Sequence, residues 1–453
     1  MTLATRVLED GSGTAEQTGG RGRIAQRDLP RRLLVPGIVL ASMAVAVWIY
    51  WIAGHTTAMW ATLDLAIYQD GGREAAHGHN LYNDTYSWVH LPFTYPPFAA
   101  LVFAAVSDLA FGVLQVVMTS FSFLSLLTVC WLSWGKLGYR PSAGRAGATL
   151  LTASFALWTE PVQQTLSFGQ VNLVLMVIVL LDLSIPDGHR LKGAGIGLAA
   201  GFKLVPAVFI PYLFLTRQTR AAYTSLAAFG ATVAGTFLVI PHESWQYWDG
   251  TFFDSARVGT VDYVGNQSMH GWIYRMLRGD SLVQPVWLVA AVLVCGLGLL
   301  LAARQYKSGN ELLSILTTAL TGLLCSPISW SHHWVWITVA LVLAAEWAWR
   351  SRRPVRALLP IALFLLYAAW LQQQFWMGID EGLVPTGLIW RLPNNNNLEY
   401  TWRGFQVVQG DMYTYIGLIF MLCLVVHWVR TRRTASVAGS PLVSPVATAD
   451  PAE

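Results

Sequence analysis

Residues 33–52 read LLVPGIVLASMAVAVWIYWI, a stretch without a single charge. At 1.5 Å per residue such a helix is about 30 Å long, the thickness of a bilayer's hydrocarbon core. Arg21, Arg23, Arg27, Arg31 and Arg32 precede it, and that cluster reads as a cytoplasmic flank. Asp64 follows it, at the head of a polar, aromatic segment that ends at Tyr95-Pro96-Pro97. An acid at that boundary meets water on one side and lipid on the other.

The rest of the chain repeats the pattern. Of 453 residues 54% are hydrophobic and 12% charged, against about a quarter charged in a soluble protein. Apolar runs recur at roughly 112–134, 222–241, 283–303, 310–326, 334–349, 356–371 and 412–429. Shorter or interrupted ones lie near 97–110, 146–159, 171–185 and 193–215. The fold class is an all-α polytopic membrane protein with about twelve transmembrane crossings. It forms one domain over 33–433, flanked by disordered cytoplasmic tails over 1–32 and 434–453. The 21 Trp and 16 Tyr suit the headgroup zone. No cleavable signal peptide is visible. The net charge of +4 comes from the flanks, and no basic groove or aromatic-basic module points to nucleic acid. Cys130, Cys295, Cys325 and Cys423 lack zinc spacing and read as packed thiols.

Charge sets the orientation. Arg217 and Arg220, Arg304 and Lys307, Arg350 to Arg356, and Arg430 to Arg433 all fall on the side of the amino terminus. The segments 53–96, 242–282, 327–333 and 372–411 then face the opposite side. Lys136, Arg140, Arg145, Arg190 and Lys192 conflict with twelve crossings. Taking 97–134 as one crossing plus an interfacial piece brings several of them inside, so the ambiguity is confined to about residues 135–215. Eight of the ten histidines lie in the external loops: His55, His77, His79, His90, His242, His270, His332 and His333. Function therefore belongs to the extracytoplasmic face.

Four constellations carry candidate chemistry. If 64–77 is a helix, Asp64 and Tyr68 share a face at i, i+4 spacing, with Gly78 as its end. The alternative is that Asp64 only caps this helix. Gly265-Asn266-Gln267-Ser268-Met269-His270-Gly271, with Arg257 before it and Arg275 after it, supplies a dense set of donors for sugar hydroxyls or a phosphate. Ser329-Trp330-Ser331-His332-His333 places two histidines at the lip of a span, where they suit phosphate binding or proton transfer. Glu160 and Lys203 are ionisable groups within apolar stretches, a costly placement that marks them as functional candidates.

In order along the chain, Asp64-Leu65-Ala66-Ile67-Tyr68, Phe93-Thr94-Tyr95-Pro96-Pro97-Phe98, Gly169-Gln170-Val171-Asn172, Gly201-Phe202-Lys203-Leu204-Val205-Pro206, Asn266-Gln267-Ser268 and Ser326-Pro327-Ile328-Ser329-Trp330 with His332-His333 resemble the family 87 glycosyltransferases of actinobacteria, within the GT-C superfamily. The resemblance covers about residues 60–340. It implies a GT-C-type bundle with large extracytoplasmic loops in the bacterial cytoplasmic membrane. It further implies an enzyme that takes a sugar from a polyprenyl-phosphate donor, and a catalytic acid that maps onto Asp64. The nearest likeness is to α-(1→2)-mannosyltransferases that act on phosphatidylinositol mannosides or on lipomannan and lipoarabinomannan. Arabinofuranosyltransferases with a polyprenyl-phosphate-arabinose donor are the near alternative, and a lipid transporter or flippase is the alternative of another class.

On that basis Asp64 is expected to deprotonate the acceptor hydroxyl, with inversion from a β-linked donor to an α-linked product. A phosphate leaving group needs no general acid, so one carboxylate suffices where a glycosidase uses two. His332, His333, Arg257, Arg275 and Lys203 are the candidates for the donor phosphate. Tyr68, Tyr95, Asn266 and Gln267 are the candidates for sugar and acceptor hydroxyls. No cofactor is called for, although a divalent metal is compatible with the chemistry. The partners are the polyprenyl-phosphate-mannose donor, a mannosylated lipid acceptor and membrane lipids.

Overall fold

A computed structural model describes residues 26–55, 60–78, 80–376 and 379–438. His79 and the tails over 1–25 and 439–453 lie outside the described residues. Residues 26–32, expected as tail, are tied down: Arg27 pairs with the backbone at Gly138 and Arg140, and Leu29 is buried.

The first apolar run is helix α1 (Leu34–Gly54). The polar segment behind it forms α2 (Leu63–His77), ended by Gly78 at φ +72°. Pro97 opens α3 (Pro97–Ala104), which stops after eight residues. At about 12 Å it cannot cross a bilayer. Its end folds back under α2, where Gln69 donates to the carbonyls of Ser107 and Leu109. α4 (Phe111–Lys136) is a full-length span, and α5 (Ala143–Leu157) returns from it. Gly37 of α1 lies where a Cβ would meet the Gly147 carbonyl at 2.7 Å, so small residues let α1 and α5 approach closely.

Next come α6 (Glu160–Phe168) and α7 (Asn172–Asp182), bent 112° to one another. α8 (Ala194–Phe202) rises from the same end at which α7 stops, breaks at Lys203, and returns through a 3-10 turn (Val205–Val208) and α9 (Phe209–Leu215). Gly193, Gly197 and Gly201 form a stripe on which α10 (Thr219–Val239) rests: their Cβ positions fall 1.9, 2.3 and 2.2 Å from atoms of Ala221, Ser225 and Thr232. The loop after α10 holds α11 (Pro241–Asp249) and α12 (Met269–Leu277). The chain continues as α13 (Val283–Lys307), α14 (Glu311–Cys325), α15 (Ile337–Ser351), α16 (Leu358–Tyr367), the short α17 (Phe405–Gly410) and α18 (Met412–Ala438). A two-residue hairpin, β1 (Thr85–Tyr86) with β2 (Leu91–Pro92), and a longer one, β3 (Trp370–Trp376) with β4 (Ile379–Thr386), decorate the helical body.

Among the described residues five helices, α1, α4, α10, α13 and α18, are long and apolar enough to cross a membrane, or six if the bent pair α6–α7 counts as one span. That is a multi-pass membrane protein, with fewer such helices than about twelve. Composition counted the stretch that holds α3 as one span and 193–215, which folds as the α8–α9 hairpin, as another, because an apolar run does not reveal where it turns back.

The two ends of the bundle are chemically distinct. At one end Arg27 meets Glu346 at 3.2 Å, Lys136 meets Glu311 at 2.9 Å and the Leu183 carbonyl at 3.1 Å, and Arg220 donates to the Gly188 carbonyl. Lys192 pairs with Asp187 there, and Arg304 with Thr431. At the other end Thr62 bonds Ser167, Gln267 bonds Ser329, and Ala369 bonds Trp158, all through the backbone. Lys136, Arg140 and Lys192, which conflicted with twelve crossings, thus lie at the end that holds Arg27, Arg220 and Arg350.

Candidate active site

Asp64 sits in the first turn of α2, and Thr62 before that helix holds a left-handed backbone at φ 49°. Such a conformation is strained for a β-branched residue and persists only when its surroundings fix it. Here the Thr62 N–H donates to Ser167 at 2.7 Å and its hydroxyl accepts from Gln115 at 2.7 Å. Asp64 does not cap the helix. Its Oδ2 accepts from Gln170 Nε2 at 2.6 Å. Gln170 is delivered by the bend between α6 and α7: Gly169, at φ +67°, packs so closely that a Cβ would lie 2.7 Å from Leu65 Cβ.

Gln170 is the hub. Its amide nitrogen also reaches the Tyr95 hydroxyl at 3.0 Å, and its Oε1 accepts from Tyr68 at 2.9 Å and from Lys203 Nζ at 3.3 Å. Lys203 further donates to Asn172 Oδ1 at 3.0 Å. The Asn172 amide then holds the His332 carbonyl at 2.9 Å, and the Thr165 hydroxyl holds the same carbonyl at 3.1 Å. Asp64, Tyr68, Tyr95, Lys203 and His332, distant in sequence, therefore belong to one network. Burial pushes the Asp64 carboxyl up to about 6, although the Gln170 hydrogen bond and the Lys203 charge both pull it down. It is a usable base with a proton affinity above that of an ordinary carboxylate.

Beside this network opens a narrow cleft of about 40 Å³. Lys203, Asn172 and His333 form its polar end. Leu175, Met176 and Val179 from α7, Val208 and Phe209 from the limb after Lys203, and Leu323 from α14 form apolar walls. Both nitrogens of the His333 ring and Nε2 of His332 are buried without a partner. Burial, with the Lys203 charge added, holds both imidazoles below their ordinary range, so they are neutral rings. A cleft with one cation at its head and hydrocarbon along its length suits an amphiphile with an anionic head. Among the described residues no group of three or more His, Cys, Asp or Glu is arranged to hold a metal ion.

The model of glycosyltransferase family 87 matches residues 93–327, more than half of the chain. A Mycobacterium tuberculosis protein named polyprenol-phosphate-mannose-dependent alpha-(1-2)-phosphatidylinositol mannoside mannosyltransferase is 30% identical over 390 residues, covering 82% of this chain and 88% of that protein. The chain belongs to glycosyltransferase family 87. A Mycolicibacterium smegmatis relative, named as the corresponding pentamannoside mannosyltransferase, is 34% identical over 354 residues, 75% of this chain and 83% of its own. An alpha-(1->3)-arabinofuranosyltransferase of M. tuberculosis is more distant, at 24% identity over 344 residues, 73% of this chain and 74% of its own. No solved structure matches.

In this family 87 glycosyltransferase the remaining site candidates lie elsewhere. Arg275 is spent on structure: its Nε donates to Asp411 at 2.9 Å, and its other nitrogens go to Asp411 and to the carbonyls of Asp262, Tyr263 and Asn266. Asn266 and Gln267 have no exposed surface. Asn266 bonds the Val261 and Pro327 carbonyls and the Ser329 N–H, while Gln267 bonds Val264, Gly410 and the Tyr413 N–H. The amides and guanidinium that looked like sugar or phosphate ligands instead knit three segments together, around 261–275, 327–329 and 410–413. Arg257 reaches the Tyr82 carbonyl rather than the cleft. Gln170 and Asn172, which the sequence offered only as part of a motif, are the additions. Glu160, flagged by its cost, is wholly buried and accepts from Ser331, Trp390 and Tyr413 at 2.7, 2.7 and 2.8 Å. It anchors the residue before the two histidines.

Proposed function

We propose that this glycosyltransferase moves mannose from polyprenyl-phosphate-mannose to a mannosylated lipid of the phosphatidylinositol mannoside type, forming an α-(1→2) linkage with inversion. The relatives' names supply the donor and acceptor classes. The observation that carries the mechanism is Asp64 held by Gln170, which Lys203 also contacts, beside an amphiphilic cleft. The prenyl chain lies along the apolar walls, and its phosphate meets Lys203 and His333. The acceptor hydroxyl oxygen attacks the anomeric carbon while its proton passes to Asp64. The bond from that carbon to the phosphate oxygen breaks, and the electron pair leaves with the phosphate, next to the Lys203 charge. Tyr68 and Tyr95 hold Gln170 in place through their hydroxyls.

The basic end of the bundle is the cytoplasmic one, by the positive-inside rule, and the Asp64 end faces out. Helices α1, α4, α5, α10, α13, α14, α15 and α18, with α7 taken together with the bent α6 and α16 with the turn Pro354–Ala357 before it, then make about ten crossings. The α8–α9 hairpin enters from the cytoplasmic side and carries Lys203 up at its apex.

The test is transfer by purified protein offered polyprenyl-phosphate-mannose or polyprenyl-phosphate-arabinose with a mannosylated lipid acceptor. Mannose transfer that disappears in Asp64→Asn supports donor and base together. Transfer from the arabinose donor alone moves the chain to the arabinofuranosyl branch, and transfer from neither defeats the reading.

A further inference from the structure

One wall of the external face is built by a segment that the transfer step does not use. α10 reaches the external end with Leu238 and Val239 86% and 64% exposed, as expected of a lipid-facing surface. The chain then turns at Pro241 into α11, yet exposed aromatic surface continues: Trp245 is 66% and Phe253 75% exposed. Two ring pairs join the span to this segment, Phe237 to Trp245 at 5.3 Å and Phe229 to Trp248 at 6.1 Å, and from Trp248 the rings run on to Phe252 at 5.7 Å and Phe253 at 4.8 Å between centroids. Tyr247 joins this ridge to Tyr82 at 5.4 Å, and the Tyr82 hydroxyl donates to the Tyr95 carbonyl. A continuous apolar path therefore leads from the lipid boundary to the loop that carries the Asp64 network.

Arg257 stands where that path meets Tyr82. One guanidinium nitrogen donates to the Tyr82 carbonyl at 2.6 Å, while Nε is buried and has no acceptor. Glu243 of α11 is an acid facing the same tyrosine, and it makes no ion pair with Arg257 among the described residues. Asp254 meets Arg257 through its backbone carbonyl. A guanidinium with an unsatisfied donor, at the end of an aromatic ridge continuous with lipid, matches a phosphodiester joined to acyl chains. The donor cleft has its own cation, Lys203, and its walls share no residue with the ridge.

We infer that the ridge from Trp245 to Phe253 and Arg257 dock the lipid end of the acceptor, with acyl chains along the rings and the phosphodiester against the guanidinium. The inference rests on the proposed function and adds where that acceptor is held. Two acceptors separate it from the rest of the reaction: a phosphatidylinositol-anchored oligomannoside, and the same oligomannoside as a water-soluble methyl glycoside. With the full chain in nanodiscs, the ratio of kcat/KM for the anchored over the soluble acceptor falls about tenfold in Arg257→Gln, and in the same direction in Trp245→Ala and Phe253→Ala, whose side chains project from the surface. A ratio equal to that of the unaltered protein in these variants overturns the docking and leaves the ridge as an anchor in bulk lipid. Unaltered protein that transfers to neither acceptor defeats the mannosyltransferase reading, and the docking with it.

Discussion

The proposed mechanism turns on one proton acceptor, Asp64, whose affinity is set by burial and two neighbours. Burial raises Asp64, and Gln170 and Lys203 lower it, leaving it at about 6. The base works ionised, so kcat/KM should climb as pH rises through about 6 and level off above, and it should be lost on the acid side. Asp64→Asn should abolish that limb with a loss of about 10²- to 10⁴-fold, on protein that still runs as a monodisperse species. Removing either lowering influence must move the midpoint upward. Gln170→Ala and Lys203→Met are both expected to shift the limb above pH 6, and Lys203→Met should also raise KM for the donor. A midpoint that moved down in either variant would contradict the network. Asp64 and Tyr68 were legible because i, i+4 spacing on one helix is a local fact. Gln170 was legible only as part of a motif and Lys203 only as a costly cation in an apolar run, because their meeting with Asp64 spans more than a hundred residues of chain. Asn266, Gln267 and Arg275 misled for the converse reason: a string of donors looks the same whether its hydrogen bonds are free or already spent.

At the scale of elements, two breaks in helices place the site. The first is at Gly169, where a left-handed turn brings Gln170 onto α2 and leaves no room for a side chain against Leu65. Gly169→Ala adds both a φ penalty and a clash, together about 1–3 kcal/mol of local strain. Activity should fall well before the fold is lost, since the strain falls on the residue before Gln170. The measurement is turnover set against thermal stability in the same detergent. The second break is at Lys203, held up by the Gly193, Gly197, Gly201 stripe. A different joint holds the external segments: Arg275 and Asp411 are both buried, and their pair fastens the loop after α10 to the start of α18. Asp411→Ala leaves a guanidinium buried without its partner and should cost about 3–5 kcal/mol, read as a lowered unfolding temperature with no shift in the pH profile. That separates the clamp from the catalytic network. Both helix breaks were present in the sequence as glycines beside polar residues, but their angles depend on what packs against them.

At the scale of the whole molecule, the path of the chain through the bilayer can be read by label. Arg27 pairs with Glu346 and with the backbone of Gly138 and Arg140, and Lys136 reaches the Leu183 carbonyl, so the turns near 136–142 and 183–193 lie at the end that holds Arg27. Twelve crossings would instead put both turns outside. Apolar length suggested the larger number because α3, α8 and α9 are as greasy as any span, while at eight, nine and seven residues each is shorter than half a bilayer. Charge favoured the smaller number, and the proposed count of about ten follows charge. Ser142→Cys and His189→Cys, each in a background without the four native thiols, should resist a membrane-impermeant maleimide in intact cells and react once the membrane is opened. Phe253→Cys, at the external end, should react from outside without permeabilisation. Labelling of either the Ser142→Cys or the His189→Cys variant in sealed cells would place those turns outside. It would also put Lys203 at the tip of a limb entering from the wrong face, and the phosphate site built on it would have to be abandoned.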